Sequence, residues 1–410
     1  MNQATPKGFR LHIGIFGRRN VGKSSIINAI TGQAVSIVSE YAGTTTDPVE
    51  KPMELLPLGP VLFIDTAGID DIGELGQLRI DKTRQAFDRT DLGIIVTTAD
   101  SWGQYEEYIL AEFQKRNTPV IAVLNKSDIV EVDQDILLKL KAAKIKAAVT
   151  STIENTGLDD LRQNMLESAP EDYLNNPAIV GDLVGPGQMA VLVVPIDKEA
   201  PKGRLILPQV QSIRDLLDSD AYCMVVKERE LTDALNNLKR PPKLVVTDSQ
   251  AFLKVNADTP RDIMMTSFSI LFARYRGDLT SQVIGAAAIE KLKKGDKVLI
   301  AESCTHHPIG EDIGRVKIPR WMTQYVGEKL EFTHYSGHDF PDNLAEYKLV
   351  IHCGACMNNR RLMLSRIMHC KAHGVPITNY GLAIAYTLGI FNRALEPFPA
   401  ALDAFNSLRT

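Results

Sequence analysis

From residue 8 to about 170, short apolar runs alternate with stretches of helical periodicity. Leu11–Phe16, Val61–Ile64, Leu92–Val96, Val120–Leu124 and Ala147–Val149 have the continuous apolar character of strands covered on both faces. Between them, Ser24–Ile30, Asp81–Phe87 and Gln104–Lys115 predict helices. Strands alternating with helices predict crossover units and a wound, parallel α/β sheet.

The segment Glu171–Gly187 gathers Pro177, Gly181, Gly185, Pro186 and Gly187, which predicts a linker. A smaller α/β unit follows, with strands at Met189–Ile196, Ala221–Val226 and Leu244–Thr247 and helices near Val210–Leu217 and Glu230–Leu238. Asn256–Pro260 is read as the next boundary. Beyond it, helices are predicted at Phe268–Arg276, Gly285–Lys293, Asn358–His373 and Leu382–Leu388, with strands at Lys297–Ala301, Lys329–Thr333, Tyr347–Ile351 and Pro376–Thr378. The expected domains are therefore 7–172, 185–262 and 264–410, all α/β.

Composition changes this picture little. Apolar residues make up 44% and charged residues 23% of the 410, an ordinary globular balance that excludes disordered and fibrous classes. The net charge of −4 argues against a nucleic-acid partner. No apolar run approaches the ~18 residues of a membrane span. Met1–Arg10 is polar, without the apolar stretch of a secretory signal. Five cysteines do not suggest a disulfide framework, so a reducing cytoplasm is expected. Seven of the eight histidines lie beyond residue 300, near three of the cysteines.

The first chemical motif is Gly17-Arg-Arg-Asn-Val-Gly-Lys-Ser24, after one predicted strand and before a helix. It meets the P-loop pattern and its context. Gly17, Val21, Gly22 and Ser25 would contribute to the backbone cradle around phosphate at a helix N-terminus. Lys23 would reach the β- and γ-phosphates and Ser24 would hold Mg²⁺. Asp65-Thr-Ala-Gly68 offers a carboxylate for Mg²⁺ and an amide, that of Gly68, for the γ-phosphate. Asn125-Lys-Ser-Asp128 offers a carboxylate to accept both hydrogens of a guanine edge, with the Lys126 stem along the base.

In this order, with Gly43-Thr-Thr-Thr-Asp47 between the first two, these motifs resemble the GTPases of the translation-factor-like class. By position in that pattern Thr45 is the Mg²⁺ ligand, with Thr44 and Thr46 as near rivals. Ser151-Thr152 resembles a weakened guanine-contacting loop. Ile69 stands where many GTPases carry a water-orienting glutamine, so slow turnover is expected. Asn20 and the Gly-Thr-Thr-Thr-Asp segment resemble the potassium-activated GTPases of the tRNA-modifying and ribosome-assembly types. That resemblance implies K⁺ on Asn20 in place of an arginine finger.

The second motif is Cys304-Thr-His306 with His352-Cys353-Gly-Ala-Cys356, each after a predicted strand. Strand ends of a wound sheet gather ligands. Three thiols with an imidazole suit either Zn²⁺ or an iron–sulfur cluster. Cys223 and Cys370 read as packing residues.

Taken together, the potassium-type GTPase segment, the small middle unit and the CxH…HCxxC tail resemble the HydF family, the FeFe-hydrogenase maturation GTPases. Cys304-Thr-His-His-Pro308, Glu311-Asp-Ile-Gly314 and Gly374-Val-Pro-Ile-Thr-Asn-Tyr-Gly381 extend the resemblance over essentially the whole chain. It implies a 4Fe-4S cluster on Cys304, Cys353 and Cys356, with His306 and His352 as candidates for the fourth ligand. It also implies a transient two-iron precursor built by radical-SAM enzymes and delivered to apo FeFe-hydrogenase. A homodimer is implied through the middle domain, with the Met189–Ile196 strand as contributor. The alternative is an RNA- or ribosome-associated GTPase with a structural zinc module.

Overall fold

The computed structural model describes residues 7–31, 49–55, 58–66, 76–170, 173, 178–195, 205–303, 312–337 and 339–408. The chain divides into two compact units, Met1–Asn176 and Pro177–Thr410.

The first unit holds strands β1 (Leu11–Phe16), β2 (Val49–Leu55), β3 (Gly59–Asp65), β4 (Leu92–Thr98), β5 (Val120–Asn125) and β6 (Lys146–Val149), in the order β2-β3-β1-β4-β5-β6. All pairs are parallel except β2 with β3. Alternating side chains divide between the faces. Ile13, Ile15, Phe63 and Val123 join one core, while Phe16 stacks on Phe87 at 4.6 Å and meets Phe113 edge-on at 5.0 Å in the other. The order places the end of β1 at the switch point of the sheet, where crossovers leave in opposite directions and a crevice opens. Strand β2 departs from the expected all-parallel sheet. Its sequence, VEKPMEL, carries charges and Pro52, but an edge strand leaves alternate residues in solvent and tolerates proline.

The second unit contains two four-stranded parallel sheets. The first has the order β10-β9-β7-β8, from β7 (Met189–Val193), β8 (Tyr222–Val226), β9 (Leu244–Thr247) and β10 (Met264–Ser267). The second has the order β12-β11-β13-β14, from β11 (Lys297–Glu302), β12 (Glu331–Ser336), β13 (Tyr347–His352) and β14 (Ile377–Asn379).

Five expectations change here. The Asn256–Pro260 boundary falls inside the first sheet, because β10 pairs in register with β9 after it. The part of the Glu171–Gly187 linker from residue 178 is held to the second unit. The Val180 and Gly181 amides each donate to Asp215 at 2.7 Å, and Arg274 donates to the Ile179 carbonyl at 2.8 Å. The expected dimer strand, β7, is hydrogen-bonded on both edges and buried, whereas β8 is the edge strand and exposes Tyr222 and Val225. Cys223, expected in a core, is therefore only half-buried on that edge. The helix expected at Gly285–Lys293 begins at Leu279, runs to Ala286 and tightens into a 3₁₀ turn over Ala287–Lys291. No helix among the described residues is long and apolar enough to cross a membrane.

Candidate functional site

Two clusters of chemistry-bearing residues occupy strand ends, one in each unit. In the first, the loop from Gly17 to Gly22 joins β1 to the helix Lys23–Thr31. Two glycines are sterically required. A Cβ on Gly17 would lie 2.2 Å from the Val96 carbonyl oxygen, and one on Gly22, at φ +98°, would lie 2.3 Å from Asn125 Nδ2. Asn20 adopts the left-handed region at φ +65° on an exposed turn. Val21 is buried beneath the loop, and Ser25 is exposed in the first helical turn.

Lys23 Nζ donates to the carbonyls of Gly17 and Arg18 at 2.7 and 2.8 Å, so the ammonium folds over the loop it would share with a phosphate. Arg18 is held from outside. Its Nε and Nη2 donate to the two carboxylate oxygens of Glu106 at 3.0 and 3.1 Å, and Glu106 is fully buried while accepting the Gly103 amide at 2.8 Å. Glu106 escaped the sequence reading because it sits on an ordinary amphipathic helix. A buried acid three residues after a glycine is the only signal it leaves.

Asp65, at the end of β3, is half-buried, and burial raises its carboxyl pKa. The ammonium groups of Lys23 and Lys51 and a hydrogen bond from Ser24 oppose that rise. A half-buried carboxylate bonded to the P-loop hydroxyl is a fitting oxygen donor set for Mg²⁺, a hard cation. Thr45 and Gly68, the other residues expected at the metal and γ-phosphate, lie outside the described residues, as does Ile69.

The guanine motif is a brace as well as a contact surface. Asn125 is buried, donates to the Val21 carbonyl at 2.9 Å and accepts from Thr150 Oγ1 at 3.1 Å. One side chain thereby ties P-loop, β5 and the segment after β6 together. Ser151 Oγ donates to Asp128 at 2.7 Å and accepts the Glu154 amide at 3.1 Å, so Ser151 orients the carboxylate. Thr152 follows it, half-buried. Lys126 takes φ +63°, a conformation that non-glycine residues usually keep only under tertiary constraint.

In the second unit, β11 and β13 are neighbours with Ala301 opposite His352, so their ends open at one place. The Cys353 amide donates to the Ala301 carbonyl at 2.9 Å. The Ser303 amide approaches Cys353 Sγ at 3.1 Å, and the Ser303 hydroxyl lies 3.2 Å from the same sulfur. Cys356 lies half-buried in the turn before the helix Arg360–Ala372. Cysteine sulfur is the usual ligand of iron–sulfur clusters. The donor set of Cys353 and Cys356 therefore fits an iron–sulfur cluster. Cys304 and His306 lie outside the described residues.

His352 is not available as a ligand, contrary to expectation. A guanidinium can only donate, so the Arg366 Nη1 contact at 2.7 Å makes His352 Nε2 the acceptor. Nδ1 then carries the proton and donates to the Cys353 carbonyl at 2.9 Å. Both nitrogens are used, and burial together with Arg366 pushes the ring pKa down to about 3. Cys370, by contrast, is a packing residue as expected, its thiol pushed up to about 12 by burial.

The sequence profile described as 50S ribosome-binding GTPase matches residues 12–126. Hydrogen maturase F dimerization domain matches 179–277, and hydrogen maturase F tetramerization domain matches 280–397. GTPase Der of Wolinella succinogenes is 35% identical over 167 residues, 38% of this chain and 35% of that protein. GTPase Era of Carboxydothermus hydrogenoformans is 30% identical over 165 residues, 39% of this chain and 55% of that protein. The chain thus spans about a third to a half of the length of these curated relatives. Among solved structures, Era of Aquifex aeolicus bound to GDP and AlF4⁻ is 22% identical, covers 60% of this chain and 97% of that one, and superposes with a TM-score of 0.33. With two consecutive modules of one family covering more than half its length behind a unit of P-loop GTPase fold, the chain belongs to the hydrogen maturase F (HydF) family.

Proposed function

We propose that this protein hydrolyses GTP and acts as a homodimeric carrier in FeFe-hydrogenase maturation. It binds a 4Fe-4S cluster through Cys304, Cys353 and Cys356, receives a two-iron precursor from radical-SAM enzymes, and delivers it to the apo-hydrogenase. The observation that carries the reading is the contact of Ser303 with Cys353 Sγ, because residue 304 is one peptide bond from Ser303. The exposed edge and side chains of β8 supply a surface for pairing with a second copy.

At the nucleotide, Lys23 exchanges its loop carbonyls for β- and γ-phosphate oxygens. Ser24 and Asp65, with Thr45, would hold Mg²⁺, which would neutralise charge on the phosphates. Gly68 offers its amide to the γ-phosphate. Asp128, oriented by Ser151, accepts from the guanine edge. Asn20 would hold K⁺. The γ-phosphate orders the loops around Thr45 and Gly68, and its loss on hydrolysis releases them, changing how partners dock.

Anaerobic iron and sulfide analysis with electron paramagnetic resonance tests the cluster assignment on purified protein. A colourless protein with stoichiometric zinc would replace this reading with that of an RNA-associated GTPase. For the nucleotide, Asp128→Asn is expected to reduce the preference for GTP over xanthosine triphosphate by about 1–3 kcal/mol, the cost of mismatching buried hydrogen-bond groups. Competition binding reads this directly, and an unchanged preference removes Asp128 from base recognition. Turnover is expected to be faster in KCl than in NaCl, and equal rates remove K⁺ from Asn20.

A further inference from the structure

Away from both sites, the second unit carries a concave pocket of about 430 Å³. Its wall brings together Asn256 and Arg261 from around the end of the helix Phe252–Asp258, Tyr325 and Tyr386 from two further helices, and Arg393 and Glu396 near the C-terminus. The size falls within the ~300–1,000 Å³ range of small-molecule sites.

Arg393 is 6% exposed and holds the pocket in shape. Its Nη1 donates to the Asn256 carbonyl and side chain at 3.0 and 2.7 Å, and its Nη2 donates to the Thr259 and Pro260 carbonyls, both at 2.8 Å. The remaining donor, Nε–H, is buried with no acceptor. Arg261 makes no hydrogen bond or ion pair among the described residues, yet its charge acts on Arg393. Burial first, then Arg261, pull Arg393 below its ordinary pKa, while Glu396 opposes them. Two guanidiniums against one carboxylate leave the pocket net positive. The adjoining wall is aromatic, with Tyr325 edge-on to Tyr386 at 5.8 Å and still part-exposed.

We propose that this pocket binds a small organic oxyanion, with its carboxylate or phosphate head on Arg261 and its flat apolar part against Tyr325. The site is independent of the nucleotide and cluster assignments.

Calorimetric titration of the full chain, with excess GDP and Mg²⁺ filling the P-loop, tests it using phenyl phosphate, benzoate and a KCl control. The expected result is one saturable site for phenyl phosphate, benzoate or both; comparing their affinities identifies the preferred head group. Binding should weaken about tenfold in Arg261→Gln, as expected for loss of a charge-assisted contact. It should recover in part in Arg261→Lys. Absence of saturable heat with both anions overturns the proposal, as does wild-type affinity in Arg261→Gln. Arg261 is exposed and makes no hydrogen bond or ion pair among the described residues, so its replacement leaves the fold intact, unlike replacement of Arg393.

Discussion

Lys23→Ala protein is expected to turn over GTP at least about a hundredfold more slowly than wild type. The ammonium already bonds two loop carbonyls, of Gly17 and Arg18, at 2.7 and 2.8 Å. Phosphate oxygens are stronger acceptors than carbonyls, so nucleotide draws the same group into charge-assisted bonds. Removing one donor aimed at charge that develops in a transition state costs roughly 10²–10³ in rate. With Ile69 offering no water-orienting group, little else is present to compensate. Phosphate release in single-turnover conditions, with GDP affinity measured in parallel, separates lost catalysis from lost binding. Turnover near wild type would mean that the loop does not hold a nucleoside triphosphate through Lys23.

The second large effect is expected from Cys353→Ser, which should abolish the paramagnetic signal of the reconstituted cluster and most of its iron. Cys353 is the sulfur on which the Ser303 amide and hydroxyl converge, at 3.1 and 3.2 Å. A serine hydroxyl keeps the shape but is a harder, far less acidic donor, poorly matched to iron–sulfur chemistry. The residue is half-buried and outside any helix or strand, so the fold and GTP turnover should persist. Iron content and spectra of Cys304→Ser and Cys356→Ser should fall with it. His352→Leu, in contrast, should leave the cluster signal in place, because both imidazole nitrogens are already engaged. Loss of iron in His352→Leu with Cys353→Ser unaffected would reverse these assignments.

The buried strands were legible because residues covered on both faces must be apolar in succession, whatever lies around them. Thus β1, β4 and β5 stand where their apolar runs predict them. Strand β2 was not legible, since an edge strand needs apolar residues on one side only and its Glu50, Lys51 and Pro52 interrupt any apolar run. The strand β10 was missed for a different reason. It follows a turn signal, Asn256–Pro260, that marks a change of direction as readily as a change of domain.

At the sites, residue type and spacing pointed to phosphate and metal chemistry because few side chains can perform it. Sequence alone thereby determined the P-loop and the wound α/β character of the chain, and it named the guanine motif and the sulfur donors as candidates. Tertiary structure decided which of those groups are free to act. Asn125 is committed to bracing the P-loop, Glu106 reaches across to hold Arg18, and Arg366 occupies the nitrogen of His352 that a metal would need. Likewise, β7 is closed by two neighbours while β8 keeps an open edge. The reason is that a hydrogen-bonding group can satisfy only as many partners as it has donors and lone pairs. Which partners arrive depends on residues distant along the chain that only folding brings within 3 Å.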